Sequence, residues 1–147
     1  MKSGLKIFAG LFFCLLPFVS TTWAEAPVTF KVTAIVASNQ GSDFDVENDA
    51  FRDQLIQLFT YKSYKQLKQY SIHLDGTKSE TLAIDGYELN LALKTRDNGK
   101  VRIHALIQKE GRKFLDTEVS IFGAGPVFLG GPSIGDGDLV LAIEITS

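Results

Sequence analysis

The sequence predicts a mainly β protein, an antiparallel β-sandwich of seven or eight strands with one amphipathic helix. Apolar and polar residues alternate in several separate segments, which is typical of strands that bury one face. Dipeptides that favour tight turns lie between these segments, so neighbouring strands are expected to pair antiparallel. Two sheets packed face to face would bury the apolar faces of this many strands. The alternative is an α+β single sheet with the helix on one face.

The predicted strands are the segments in which every second residue is apolar. They lie near residues 28–36, 87–94, 101–107, 115–121 and 139–145. In the last four of them, every residue expected to face inward is odd-numbered. Tight hairpins are predicted at four dipeptides that tolerate positive φ: Asp75-Gly76, Asp85-Gly86, Asn98-Gly99 and Glu110-Gly111.

A helix is predicted over about residues 46–60, where apolar residues recur at helical spacing. Its apolar stripe consists of Phe51, Leu55, Leu58 and Phe59, with Phe44 extending it backwards. Four acidic residues precede or begin this segment: Asp43, Asp45, Glu47 and Asp49. They are interpreted as capping groups, because negative side chains complement the positive end of a helix. A calcium loop would need glycine and glutamate where Asn48 and Gln54 stand.

The first 24 residues have the pattern of a signal peptide. Lys2 and Lys6 precede a short apolar run, and small residues at Thr22 and Ala24 suit cleavage after Ala24. Residues 25–147 are then expected to form a single β-rich domain in a secreted or periplasmic protein, without stable membrane insertion after cleavage. Cys14 is the only cysteine, and its removal leaves no disulfide framework.

No residue pattern in the sequence predicts catalysis, a metal site or a cofactor. His73 and His104 each fall on the polar side of a strand, without a partner at a suitable spacing. Ser133 lies in a glycine-rich segment but has no identifiable base. The net charge of −2 provides no basic footprint for nucleic acid.

Two segments are candidates for contact with a partner. Residues 123–137 contain six glycines and two prolines beside apolar residues, and they are predicted to form a short strand between two irregular loops. Within them, Phe128 and Ile134 are candidate anchors, although plugging the end of the β-core is the favoured role for both. Tyr61 and Tyr64 belong to a second segment, in which tyrosines alternate with lysines. The favoured role of these tyrosines is to anchor the segment in the core, while the lysines protect a sheet edge from mispairing. A glycan-binding site is the less favoured alternative.

Three stretches resemble a family of small exported bacterial β-rich proteins of unassigned function. They are Leu58–Leu67 (LFTYKSYKQL), Leu129–Pro132 (LGGP) and Asp138–Glu144 (DLVLAIE). The resemblance covers most of residues 25–147 and implies a bacterial envelope setting. Its shared residues are structural, so it assigns no catalytic or ligand-binding residue to this chain.

The sequence therefore favours an exported, non-enzymatic envelope protein that binds or scaffolds another envelope protein, for instance by lending a sheet edge. The alternative is a small-ligand or glycan-binding protein, or an enzyme, that uses the glycine-rich loop 123–137. In that case Asp136, Asp138 or a histidine would supply the polar groups. The identity of the partner or ligand and the oligomeric state are left open.

Overall fold

The computed structural model describes residues 27–46 and 50–146, which form nine strands and one short helix. In chain order the elements are β1 (Val28–Ser38), β2 (Phe44–Asp45), α1 (Ala50–Leu58), β3 (Ser63–Leu74), β4 (Ser79–Ile84), β5 (Tyr87–Asp97), β6 (Lys100–Lys109), β7 (Arg112–Phe122), β8 (Val127–Ile134) and β9 (Gly137–Ile145). The mainly β class and the sandwich-like arrangement are confirmed. The predicted signal peptide, residues 1–24, lies outside the described residues.

The strands form two sheets with different connectivity. The four-stranded sheet has the order β4-β5-β6-β7, so each strand pairs with its neighbour in sequence. The five-stranded sheet has the order β2-β3-β1-β9-β8 and brings the first and last long strands together at its centre. All strand pairs are antiparallel except β2–β3, a two-residue parallel bridge. The two sheets pack face to face around one large apolar cluster.

Three of the four predicted hairpins are present, and the fourth turn has another role. Asp85, Asn98 and Glu110 have φ values near +50°, and each precedes a glycine with positive φ. Those conformations match the right-handed twist of paired strands. The prediction of a hairpin at Asp75-Gly76 is wrong, because this turn carries the chain from β3 in one sheet to β4 in the other. Its geometry is set by Asp75, whose carboxylate accepts hydrogen bonds from the backbone N–H and the hydroxyl of Thr77.

The five-stranded sheet is apolar on both faces near the helix. Its inner face carries the predicted even-numbered residues of β1 and the odd-numbered residues of β9. Its outer face carries a second cluster, in which Ile35 and Val140 are 0% and 1% exposed beneath α1. The helix therefore forms a third layer over this sheet.

The helix is shorter than predicted. It spans Ala50–Leu58, because the preceding chain is still extended at Phe44–Asp45, where it pairs with β3. Phe51 and Leu55 are buried as predicted, whereas Leu58 is 63% exposed. The hydroxyl of Tyr64 donates to the carbonyl oxygen of Leu55, which also accepts a hydrogen bond from the backbone N–H of Phe59 at the helix C-terminus. The predicted capping residues Glu47 and Asp49 lie outside the described residues.

Residues 123–137 contain more regular structure than predicted. Instead of a short strand between two loops, they include the eight-residue strand β8 and a two-residue turn at Gly135-Asp136. The pairing of β8 with β9 shifts register between Gly130 and Ser133. This irregularity accommodates Pro132, which lacks a backbone N–H and is therefore tolerated on an edge strand.

Candidate functional site

A cleft of about 350 Å³ lies at one end of the sandwich. The end of β1, the start of β3 and the turn between β8 and β9 meet there, as the pairing of Ser38 with both Ser63 and Gly137 shows. The side chains of Val36, Leu67 and Ile134 form its apolar lining, and Lys65 and Asp136 add opposite charges. We call it the end cleft. It is a concave site of mixed chemistry beside the glycine-rich segment that the sequence singled out.

Leu67 lines the end cleft and lies at a bulge in β3. In the pairing of β1 with β3, Ala34 lies opposite Lys68 and Ile35 lies opposite Gln66, so Leu67 has no partner on β1. A bulge of this kind bends its strand and redirects a side chain. Leu67 is left 47% exposed. No feature of the sequence predicts this bulge.

A chain of hydrogen bonds fixes the turn that borders the end cleft. Ser133 Oγ donates to Asp138 Oδ1 over 3.0 Å, and the hydroxyl of Tyr61 donates to the other oxygen of the same carboxylate. The hydroxyl of Tyr87, on the opposite sheet, donates to the carbonyl oxygen of Ser133 over 3.2 Å. The hydrogen bond to Asp138 is the main cause of a raised pKa of Tyr61. The turn at Gly135-Asp136 is thereby tied to both sheets and to the passage after the helix.

The described residues do not bring a histidine to Ser133. His73 binds the hydroxyl of Thr29, at the end of the five-stranded sheet opposite the end cleft. His104 binds Asp116 on the outer face of the four-stranded sheet, a contact that sequence spacing did not reveal. This hydrogen bond is the main cause of a lowered pKa of Asp116. Neither histidine is placed to activate the Ser133 hydroxyl, since each is bound elsewhere.

A second surface runs along one side of the sandwich, where β7 and β8 are the outermost strands of their sheets. Leu115 and Val119 on β7, with Val127 and Leu129 on β8, are half-buried and pack against the core between the sheets. We call this surface the β7–β8 flank. β7 pairs with β6 from Arg112 to Phe122, except at Phe114, which a register shift leaves without a partner on β6. The other edge of β7 has no strand partner in the described part of the chain.

The other sheet edges are shorter or interrupted. β4 has only six residues, and β8 is broken by its register shift at Gly130–Ser133. On β3, Tyr64 and Lys65 are covered by β2, and Lys68 is exposed farther along. Such features prevent unwanted strand pairing. β7 has 11 residues, contains no proline and is not covered by another described strand. It is the longest such edge strand among the described elements.

The four predicted contact residues lie mainly in the two cores. Ile134 is 7% exposed between the sheets, and Tyr64 is 2% exposed beneath the helix. Phe128 is half-buried, with its ring edge-on to Phe51 at a centroid distance of 5.5 Å. Tyr61 is half-buried and packs near Tyr64. Of the four, only Phe128 and Tyr61 have substantial solvent-exposed surface.

Neither a group of metal ligands in the described residues nor a similar known protein indicates a function. Within residues 27–46 and 50–146, no group of three or more His, Cys, Asp or Glu side chains is placed to hold a metal ion. No helix in the same ranges is long and apolar enough to cross a membrane. Comparisons of the chain with family models, with curated proteins and with solved structures find no significant match. The end cleft and the β7–β8 flank are therefore the two surfaces whose geometry bears on function.

Proposed function

We propose that this protein is an exported, non-enzymatic binding module of the bacterial envelope, which pairs the free edge of β7 with an extended segment of another envelope protein. The observation that carries this proposal is the open edge of β7 over Arg112–Phe122. An open strand edge presents unpaired backbone N–H and C=O groups, which an added strand can satisfy. Export is inferred from the signal-peptide pattern of residues 1–24.

The apolar residues of the β7–β8 flank give an added strand a surface to cover. A segment paired with β7 would extend the four-stranded sheet over the inner side of β8. It would then remove Leu115, Val119, Val127 and Leu129 from water, and burial of such area stabilises a complex. Backbone hydrogen bonds would supply affinity, and alternate side chains of the partner would supply specificity.

The charges on the outer face of β7 are already paired within the sheet. Asp116 lies beside His104 and Lys113, and Glu118 lies 3.9 Å from Arg102. Because these groups have local partners, a segment added to the edge need not neutralise them. This favours an uncharged, β-prone partner segment over a strongly basic or acidic one.

A lysine directed inward on the edge strand tests the proposal. Thr117 pairs with Ala105 and lies on the inward side of β7, half-buried at the flank. Thr117→Lys places a charge where an added strand would bury it, while the long side chain can still reach water in the free protein. We expect Thr117→Lys to reduce capture of the partner from envelope extracts at least tenfold.

The matched control is Thr81→Lys on β4, the opposite edge of the same sheet. Thr81 is exposed, and this variant should capture the partner as the unchanged protein does. Melting temperatures of both variants show whether each is folded. Equal capture by the two variants would argue against the edge of β7 as the binding surface.

A further inference from the structure

The end cleft contains two opposite charges without a side-chain partner in the described part of the chain. The ammonium group of Lys65 and the carboxylate of Asp136 both line the cleft. Neither side chain forms an ion pair with any residue of 27–46 or 50–146. They therefore also lie more than 4.0 Å from each other, the limit that defines an ion pair. The space between them can admit a ligand that carries both signs of charge.

The rest of the lining combines aliphatic side chains with the polar side chains of Ser38, Gln40 and Ser63. Leu67 lies at the bulge in β3 and is 47% exposed. Ile134 and Val36 lie beside it. The hydrogen bonds of Asp138 with Ser133 and Tyr61 fix the turn that carries Asp136. A preformed site of this kind binds with a smaller loss of entropy than a flexible one.

We propose that the end cleft binds a small aliphatic zwitterion, either a free amino acid with a branched aliphatic side chain or a dipeptide of such residues. Its ammonium group pairs with Asp136, its carboxylate pairs with Lys65, and its side chain covers Leu67 and Ile134. The volume of about 350 Å³ is near the lower end for small-molecule sites and suits a ligand of this size. This site is separate from the β7 edge, so it does not depend on the proposed protein-binding function.

Titration followed by NMR of the ¹⁵N-labelled protein tests the ligand chemistry. The probes are L-leucine and leucyl-leucine, compared with N-acetyl-leucine, which lacks the ammonium group, and leucinamide, which lacks the carboxylate. We expect at least one of the first two to shift the amide signals of Lys65, Leu67 and Asp136 saturably. The two blocked compounds should bind at least tenfold more weakly. The free amino acid and the dipeptide are distinguished by which of them binds more tightly.

Two substitutions locate the binding. Lys65→Met and Asp136→Asn should each weaken binding of the better probe at least tenfold. Their controls, Lys62→Met and Asp97→Asn, remove the same charges from exposed positions outside the cleft lining and should bind normally. The proposal is overturned if neither zwitterion gives saturable shifts at about 10 mM, where even a weak site would be filled. Binding that survives both cleft substitutions would also overturn it.

Discussion

Gly137 allows the closest backbone approach among the glycines of the described residues, and its replacement should be costly. A Cβ atom at this position would lie 2.3 Å from the carbonyl oxygen of Ala37 and 2.8 Å from Val36 Cγ1. Ordinary van der Waals contacts begin at 3.4 Å, so β9 and β1 would have to separate locally. The obstacle is the backbone of a central strand rather than a flexible side chain. We therefore expect Gly137→Ala to destabilise the protein by about 3 kcal/mol, the upper part of the usual range for overpacking.

Two other glycines on β8 provide graded controls. A Cβ at Gly130 would lie 3.8 Å from Phe59 Cε1, an ordinary contact. Gly130→Ala should leave stability unchanged or raise it by about 0.5 kcal/mol, because alanine restricts the unfolded chain. A Cβ at Gly131 would lie 3.3 Å from side-chain atoms of Ile107 and Leu139, which can adjust. Gly131→Ala should cost about 1 kcal/mol.

Urea unfolding followed by far-UV circular dichroism measures the three free energies of unfolding. Gly137→Ala should also lower the melting temperature by about 12 °C, since 1 kcal/mol corresponds to about 4 °C in a domain of this size. Gly130→Ala should melt at or above the temperature of the unchanged protein. If Gly137→Ala is as stable as Gly130→Ala, the close packing of β9 against β1 is refuted.

Three further predictions concern the helix, a surface hydrogen bond and the N-terminus. Leu55→Ala should lower the free energy of unfolding by about 3 kcal/mol, because Leu55 is 0% exposed, whereas Leu58→Ala at a 63% exposed position should change it by less than about 0.5 kcal/mol in the same urea assay. The pKa of Asp116 is lowered chiefly by its hydrogen bond with His104, so its ionised form stabilises the fold above that pKa. Asp116→Asn should therefore lower the melting temperature at neutral pH, and scans at decreasing pH should show the difference disappear as the pH falls through the lowered pKa; a difference that persists in strong acid would contradict this. N-terminal sequencing of the exported protein should begin at Glu25, and an intact Met1 in a membrane fraction would refute signal cleavage.

The strand pattern could be predicted because period-two alternation reports directly on one-sided burial. The odd-numbered residues of β5, β6 and β9 face the core between the sheets, as their spacing indicated. Hairpins could be predicted from the turn dipeptides, because the positive φ values at Asn98 and Gly99 are a local property of the chain. Local patterns do not show which face a second layer covers. Period-two alternation places Ile35 on the same side of β1 as Lys31 and Thr33, the side expected to be polar, but Ile35 is 0% exposed beneath the helix.

The candidate sites depend on irregularities that local patterns do not encode. The bulge at Leu67, beside the end cleft, is visible only once β1 and β3 are paired. A register shift between Ile107 and Gln108 places His104 opposite Glu118 and near Asp116, whereas an uninterrupted hairpin would place it opposite Thr117. The contact of Tyr61 with Asp138 joins residues 77 positions apart. The apolar residues of the glycine-rich segment 123–137 lie mostly against the two cores, which agrees with the favoured role of Phe128 and Ile134.

The most direct test of the proposed function is amide hydrogen exchange along β7 in the complex with the captured partner. Added-strand pairing would protect backbone N–H groups of residues 115–121 that exchange rapidly in the free protein. We predict slower exchange in this segment on binding, with no change in β4, at the other edge of the same sheet. Exchange in β7 that stays the same while another surface becomes protected would contradict the proposal.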